Sequence, residues 1–189
     1  MDIYFEDIQR HFAKWRNHPH VEIEFRIGKN GIDFFDVNVG EVFWNDVWTK
    51  LNNYDGWEST SHHKYINTYT TDGVRITGDD RAIVKRVLHK QDFYLPRSTR
   101  WDFRMAISEE KPVPVPTNYV QKFVREKETW HFVRKNLSID MSKVSGDITD
   151  IDMDDEYSWE IELEIVNHRE IKKWDELYNI VHKILCILK

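Results

Sequence analysis

The chain has 189 residues, 40% of them hydrophobic and 32% charged, with eight tryptophans; this composition supports one folded domain over residues 1–189 and excludes a disordered chain. Its 33 acidic residues outnumber 27 basic ones, and the net charge of −6 speaks against a broad nucleic-acid-binding face while leaving room for a local basic lining. No apolar run reaches the length of a membrane span, the N-terminus lacks the zones of a secretory signal, and the single cysteine excludes internal disulfides, so a soluble, intracellular protein is expected.

Taken in chain order, apolar residues at Phe5, Ile8, Phe12 and Trp15 predict a helix from Asp2 to about Trp15. Glu22 to Gly28 reads as the first strand: in HVEIEFRIG, Glu22, Glu24 and Arg26 take one parity and Val21, Ile23, Phe25 and Ile27 the other. Ile32 to Val37 predicts another strand. GEVFWNDVWTKLNN has helical spacing through Val42, Phe43, Val47 and Leu51 and is stopped by its asparagines and the following Asp-Gly. From Trp57 to about Asp140 strands dominate, in HHKYINTYT, GVRIT, RAIVKRVLH, TRWDFRMAIS, YVQKFVREKETWHF and LSIDM, an antiparallel meander broken by TGDD, LPRS and KPVPVPTN. Gly146 to Ser158 reads as an acidic, solvated loop. In SWEIELEIV, Glu160, Glu162 and Glu164 share one face and Trp159, Ile161, Leu163 and Ile165 the other. An amphipathic helix through Ile171, Trp174, Leu177, Ile180, Val181, Ile184 and Leu185 closes the chain, with Cys186 expected as a core thiol.

Stacked glutamates repel one another, so a pure run of them on one strand face calls for a counter-charge. Two such strands at opposite ends of the strand-rich region, with about eight strands in all, predict a mainly β (α+β) fold: a closed antiparallel eight-stranded barrel with flanking helices. Closure would bring the two acidic strands side by side, and inward charges would have to surround something polar. The middle strands supply positive charge through Arg75, Lys85, Arg86, Arg104, Arg125 and Lys127, with Arg125 and Lys127 on one parity. Carboxylates on one wall and guanidinium and ammonium groups on another suit a metal-bound polyphosphate. The chain has no Gly-rich phosphate loop and no zinc-type histidine spacing.

The order EIEFRIG, GVRIT, VKR, WDFRMAISEEKPVP, VREKETWHF, LSIDMSKV and WEIELEI resembles the metal-dependent RNA triphosphatases of fungi, protozoa and large DNA viruses. These are the messenger-RNA capping members of the triphosphate tunnel metalloenzymes, and the resemblance covers about Val21 to Val166. Paired Glu-x-Glu strands are shared with other tunnel enzymes; DFRMAISEEKPVP and LSIDMSKV point to the capping branch. The compact length resembles a stand-alone viral enzyme without a fused guanylyltransferase.

The resemblance implies that Glu22, Glu24 and Glu164 ligate Mg2+ or Mn2+. Glu162 would orient or deprotonate the attacking water, Glu110 would help through a metal-bound water, and Glu160 would fix the basic residues opposite. Arg75, Lys85, Arg104, Arg125 and Lys127 would hold the triphosphate, with Asp140 and Ser142 orienting them. The substrate implied is the 5′-triphosphate end of nascent mRNA, with nucleoside triphosphates also hydrolysed, an RNA guanylyltransferase as partner and no membrane. The sequence departs from the family pattern at Thr129 and Ser138, where arginines are common, leaving Arg86, Arg97, Arg100 or Arg134 as compensating cations. In IVKRV, strict alternation puts Lys85 with Ile83 and Val87, which leaves Arg86 as the alternative inward residue. A tripolyphosphatase or thiamine triphosphatase of the same fold, and a non-catalytic module holding RNA ends, are the competing readings.

Overall fold

The computed structural model describes residues 2–32, 34–78, 80–95, 100–146 and 156–188. The described elements are α1 (Asp2–Trp15), β1 (Val21–Asn30), β2 (Phe35–Asp36), α2 (Glu41–Asn52), β3 (Ser59–Thr70), β4 (Val74–Thr77), β5 (Arg81–Phe93), β6 (Asp102–Val113), β7 (Gln121–Arg134), β8 (Leu137–Gly146), β9 (Ser158–Ile165) and α3 (Trp174–Ile187). Eight strands close a fully antiparallel barrel in the order β1-β6-β5-β4-β3-β7-β8-β9, and β9 pairs back onto β1. The two-residue β2 is an appendage on β1.

The expected, mostly antiparallel meander holds along β3-β4-β5-β6 and again along β7-β8-β9, and breaks between β6 and β7. The chain runs β3-β4-β5-β6 as neighbours, but β6 pairs with β1 and β3 pairs with β7. Closure needs these non-local pairings, which local periodicity does not encode. The strand expected from Ile32 to Val37 shrinks to Phe35–Asp36, held where Asn30 and Lys29 of β1 face it. Gly28 makes that approach feasible, since a Cβ there would collide with the Asp36 carbonyl and the Phe35 ring. Most of the acidic segment from Gly146 to Ser158 lies outside the described residues.

The alternation read from β1 and β9 divides the barrel wall into two chemically opposite faces. Register aligns Glu24 with Glu164 and Arg26 with Glu162, so these side chains share the interior. The alternate residues Ile23, Phe25, Ile27, Ile161, Leu163 and Ile165 face outward and are buried. They form the hydrophobic core together with Phe103, Met105 and Ile107 of β6, Ile139 and Met141 of β8, and the apolar stripes of the three helices. The core therefore lies between the wall and the helices, outside the barrel. Gly40, at φ 75°, turns the chain into α2, whose Trp44 indole N–H donates to the Glu160 carbonyl at 3.2 Å and pins that helix to β9.

Cys186 is corrected from a core thiol to an exposed one, its Sγ 3.7 Å from His182 Nδ1. It falls on the polar side of α3, between the buried Ile184 and Ile187. Among the described residues no helix is long and apolar enough to cross a membrane.

Phe25 is fully buried beneath the helices, so Phe25→Ala should cost about 3–5 kcal/mol through lost burial and the cavity left behind. Urea denaturation checks this, and a midpoint within error of wild type would refute the placement of the core outside the barrel.

Candidate active site

The barrel interior is an ordered lattice of opposite charges. Along one line, Lys85 is bonded to Glu22, and its Nζ lies 3.0 Å from Glu110 and 3.9 Å from Glu24. Glu110 in turn accepts both contacts of the Arg75 Nη2, at 3.2 and 3.3 Å. Along a second line, Arg26 lies 2.8 Å from Glu24 and 3.0 Å from Glu162, while Lys127 lies 3.1 Å from Glu162 and 3.8 Å from Glu160. Lys85, Arg26 and Lys127 thus each hold two or more carboxylates, and Arg75 holds Glu110 alone.

Of the expected residues, Glu22, Glu24, Glu110, Glu160, Glu162, Arg75, Lys85 and Lys127 join this lattice, while Glu164, Arg104, Arg125, Asp140 and Ser142 make none of its ion pairs. Lys85 is the interior residue of IVKRV, and Arg86 faces outward on Glu109 at 3.2 Å. A register shift in β5 between Val87 and His89 then changes parity, bringing Lys90 and Asp92 onto the interior face opposite Ala106 and Arg104. Arg104 is consequently engaged by Asp92, at 2.5 and 2.9 Å, and covered by the Phe35 ring at 4.6 Å. At that end of the tunnel the Arg104–Asp92 pair ties β6 to β5.

Arg26 is a residue the sequence reading placed on the correct face without giving it a role. The signal was present in its shared parity with Glu22 and Glu24; its second partner, Glu162, becomes visible only through the β1–β9 register. Asp140 and Ser142 are not bonded to the predicted phosphate ligands. Asp140 accepts from Ser138 Oγ at 2.5 Å and lies 2.9 Å from His131 Nδ1, and Ser142 bonds Thr129 at 3.0 Å. The two positions that lack the expected arginines are therefore satisfied by a hydroxyl network that includes an imidazole. Arg134 contacts the Tyr54 hydroxyl and Arg100 lies over Trp101, so neither faces this interior, and Arg97 lies outside the described residues.

Electrostatics divides the carboxyls into two groups. Burial works to raise the Glu162 pKa, but Lys127 and Arg26 outweigh it and hold the group well below its ordinary value. Glu110 is likewise held down by Lys85 and Arg75 against the effect of burial. In the opposite direction, burial and the neighbouring Glu24 raise Glu22 to about 7, partly opposed by Lys85. Burial, reinforced by Glu22, Asp140, Glu24 and Glu162, raises Glu164 to about 8. Burial also raises Glu160, with Lys127 opposing. Lys85, Lys127 and Arg26 are raised, because the carboxylates around them outweigh burial, and they stay charged at neutral pH.

Glu164 has no ion-pair partner among the described residues, and it sits beside Glu22 and Glu24. Three hard oxygen donors short of positive charge fit a divalent cation such as magnesium or manganese. Lys85 currently occupies part of that space, and among the described residues no acidic, histidine or cysteine trio is already gathered into a metal-ligating cluster. A second deficit has the opposite sign. Among the described residues the Nε atoms of Arg75 and Arg125 are buried donors without a hydrogen-bond partner, which an anion in the tunnel would satisfy.

Residues 49–183 match the family described as mRNA capping enzyme, beta chain. No curated protein is a significant match. The fold is similar to the S. pombe Pct1 RNA triphosphatase, with a TM-score of 0.80 and 19% identity over 97% of this chain and 91% of that one. A second structure, of Pct1 in complex with the Spt5 CTD, matches at 0.80 and 18% identity over 97% and 93%. The RNA triphosphatase domain of a trifunctional mimivirus mRNA capping enzyme matches at 0.59 and 16% identity over 100% and 97%.

The raised carboxyls set a pH dependence on the metal-free protein. Glu22 and Glu164 bind protons in the native state that the unfolded chain releases, so stability is fullest below the ordinary carboxyl value of 4.5 and falls as pH rises toward about 8. Glu164→Gln should flatten this decline. Urea midpoints measured across that range in chelator check it, and equal slopes for variant and wild type would contradict the repulsion among these carboxyls.

Proposed function

Because the chain belongs to the mRNA triphosphatase family, the beta chain of the mRNA capping enzyme, and is an RNA triphosphatase, we propose that its tunnel releases the γ-phosphate of triphosphate-ended mRNA with a divalent cation. The observation that carries the mechanism is the β1–β9 closure, which sets Glu164 beside Glu22 and Glu24 with no cation partner of its own among the described residues. These three would hold Mg2+ or Mn2+, which supplies charge stabilisation to the phosphoryl oxygens when bound.

The remaining work falls to the chain's own residues. Arg75, Arg125 and Lys127 bind phosphate oxygens, the first two through Nε donors that have no hydrogen-bond partner among the described residues. Lys85 moves from Glu22 toward the substrate as the carboxylates are taken up. Glu162 orients the attacking water: two flanking cations lower its basicity, so it serves as an acceptor that aligns an O–H and is a poor proton abstractor. The water oxygen bonds to the γ-phosphorus as the bond to the β–γ bridging oxygen breaks, and the water proton leaves to solvent. Products are inorganic phosphate and a diphosphate-ended RNA, and positioning and fixed charge lower the barrier. Glu110 anchors Arg75 and Lys85, and Glu160 anchors Lys127.

A diphosphate end is the substrate of guanylylation, so an RNA guanylyltransferase is the partner that acts next. Free nucleoside triphosphates carry the same reacting group and are expected as alternative substrates. γ-Phosphate release from triphosphate-ended RNA should require magnesium or manganese, and Glu162→Ala should reduce it by at least about 10²-fold, in the range seen when a charge-positioning group is lost. Circular dichroism must show both proteins folded. No release with either metal from the folded wild type would sink the reading, and turnover confined to tripolyphosphate or thiamine triphosphate would move the substrate off RNA.

A further inference from the structure

The Arg75 end of the tunnel carries an aromatic pair, Tyr69 and Phe123, whose Tyr69 hydroxyl is hydrogen-bonded to Arg75 and whose ring faces have no part in the phosphate chemistry. Tyr69 of β3 faces Phe123 of β7 across the register, and their rings stack at 4.4 Å between centroids and 23° between planes. Arg125 lies 5.6 Å from the Phe123 ring and 6.0 Å from the Tyr69 ring, with the Lys122 ammonium 6.0 Å from Phe123. Just before β7, Tyr119 and Val120 are 47% and 67% exposed, and the Val120 carbonyl accepts from the Thr71 N–H at 3.0 Å, which holds this segment against the end of β3. The rim is therefore apolar, aromatic and cationic together.

Its position relative to the reacting end is defined by contacts. Tyr69 is opposite Arg75 in the β3–β4 register, Arg75 is bonded to Glu110, Glu110 to Lys85, and Lys85 to Glu22. A triphosphate whose γ end lies at Glu22, Glu24 and Glu164 would extend along this line toward Arg75 and Arg125. The nucleoside attached to its α end then arrives at the aromatic rim. Every base has a π-face, so aromatic rings beside an arginine plane bind single-stranded ends without demanding a particular base.

We propose that Tyr69 and Phe123 form a stacking platform for the base of the triphosphate-bearing nucleotide, which makes the Arg75–Arg125 mouth the entrance for RNA. The proposal rests on the RNA triphosphatase reading and gives that site a nucleoside subsite. It separates nucleotide substrates from inorganic tripolyphosphate, which presents the same phosphates and no base.

The test compares Michaelis constants for triphosphate-ended RNA, ATP and tripolyphosphate in the wild type and in Phe123→Leu, which leaves the Tyr69 hydroxyl on Arg75 in place. Leucine retains apolar bulk at the rim and removes the π-face. The KM for RNA and for ATP should rise roughly tenfold, corresponding to about 1.4 kcal/mol and within the range of one base stack, with kcat unchanged. The KM for tripolyphosphate should stay at the wild-type value. A parallel rise for tripolyphosphate would mean that the rings only shape the mouth, and unchanged values for RNA and ATP would mean that the base does not touch them; either overturns the proposal. Absence of turnover of all three substrates by the wild type is instead a failure of the enzymatic reading. In that case equilibrium binding of ATP and tripolyphosphate to the same proteins decides: selective loss of ATP binding supports the platform, and equal loss or none overturns it.

Discussion

A carboxylate withdrawn from water must be met by a cation or give up its charge, and the rest of this fold follows from that requirement. The interior of the barrel satisfies it by alternation. Glu22, Lys85, Glu110 and Arg75 form one sequence of opposite charges; Glu24, Arg26, Glu162, Lys127 and Glu160 form another. With the interior committed to ions, the apolar half of each strand has only the outside on which to be buried. The helices are what make that burial possible, since they cover the outward faces of β1, β6, β8 and β9. Where helices do not lie, as at Ile66 of β3 and Val84 of β5, apolar side chains remain exposed.

On the proposed mechanism, substrate binding is an exchange of partners within this lattice. Glu22 and Glu24 would give up Lys85 on holding a divalent cation, and the lysines and arginines would give up their glutamates on binding a triphosphate. Each exchange therefore releases what the other needs, which couples cation and triphosphate binding without any change in backbone. Glu164, lacking a cation partner among the described residues, is the site at which the lattice is unbalanced in favour of added metal.

The parts of this arrangement legible in the sequence are those set by parity along a single strand. The faces of β1 and β9 and their meeting at the barrel seam could be read from spacing alone, as could all three helices. Pairing across strands could not. Arg104 has the right residue type on the right face, yet its partner, Asp92 of β5, is not foreseeable from the spacing of either strand. Lys85 looked ambiguous because Ile83 and Val87 share its face, and apolar neighbours read as core until the interior is known to be an open tunnel. The register shift after Val87 reverses the faces of the rest of β5, so the roles of Lys90 and Asp92 depend on a backbone irregularity with no compositional marker. At Thr129 and Ser138 the missing arginines were plain to see, while the hydroxyl network that replaces them required the β7–β8 register.

Displacement of the apolar core to the outside of the barrel separates what keeps the protein folded from what it recognises. A residue on the inner parity of any strand can change without opening a cavity in the packed layer, provided its hydrogen-bonding partners change with it. The Thr129–Ser142 and Ser138–Asp140–His131 contacts are an instance already present in this chain. Such a wall can be relined for a new polyphosphate while its stability is inherited intact, so divergence of specificity within this architecture is limited mainly by charge balance and little by packing.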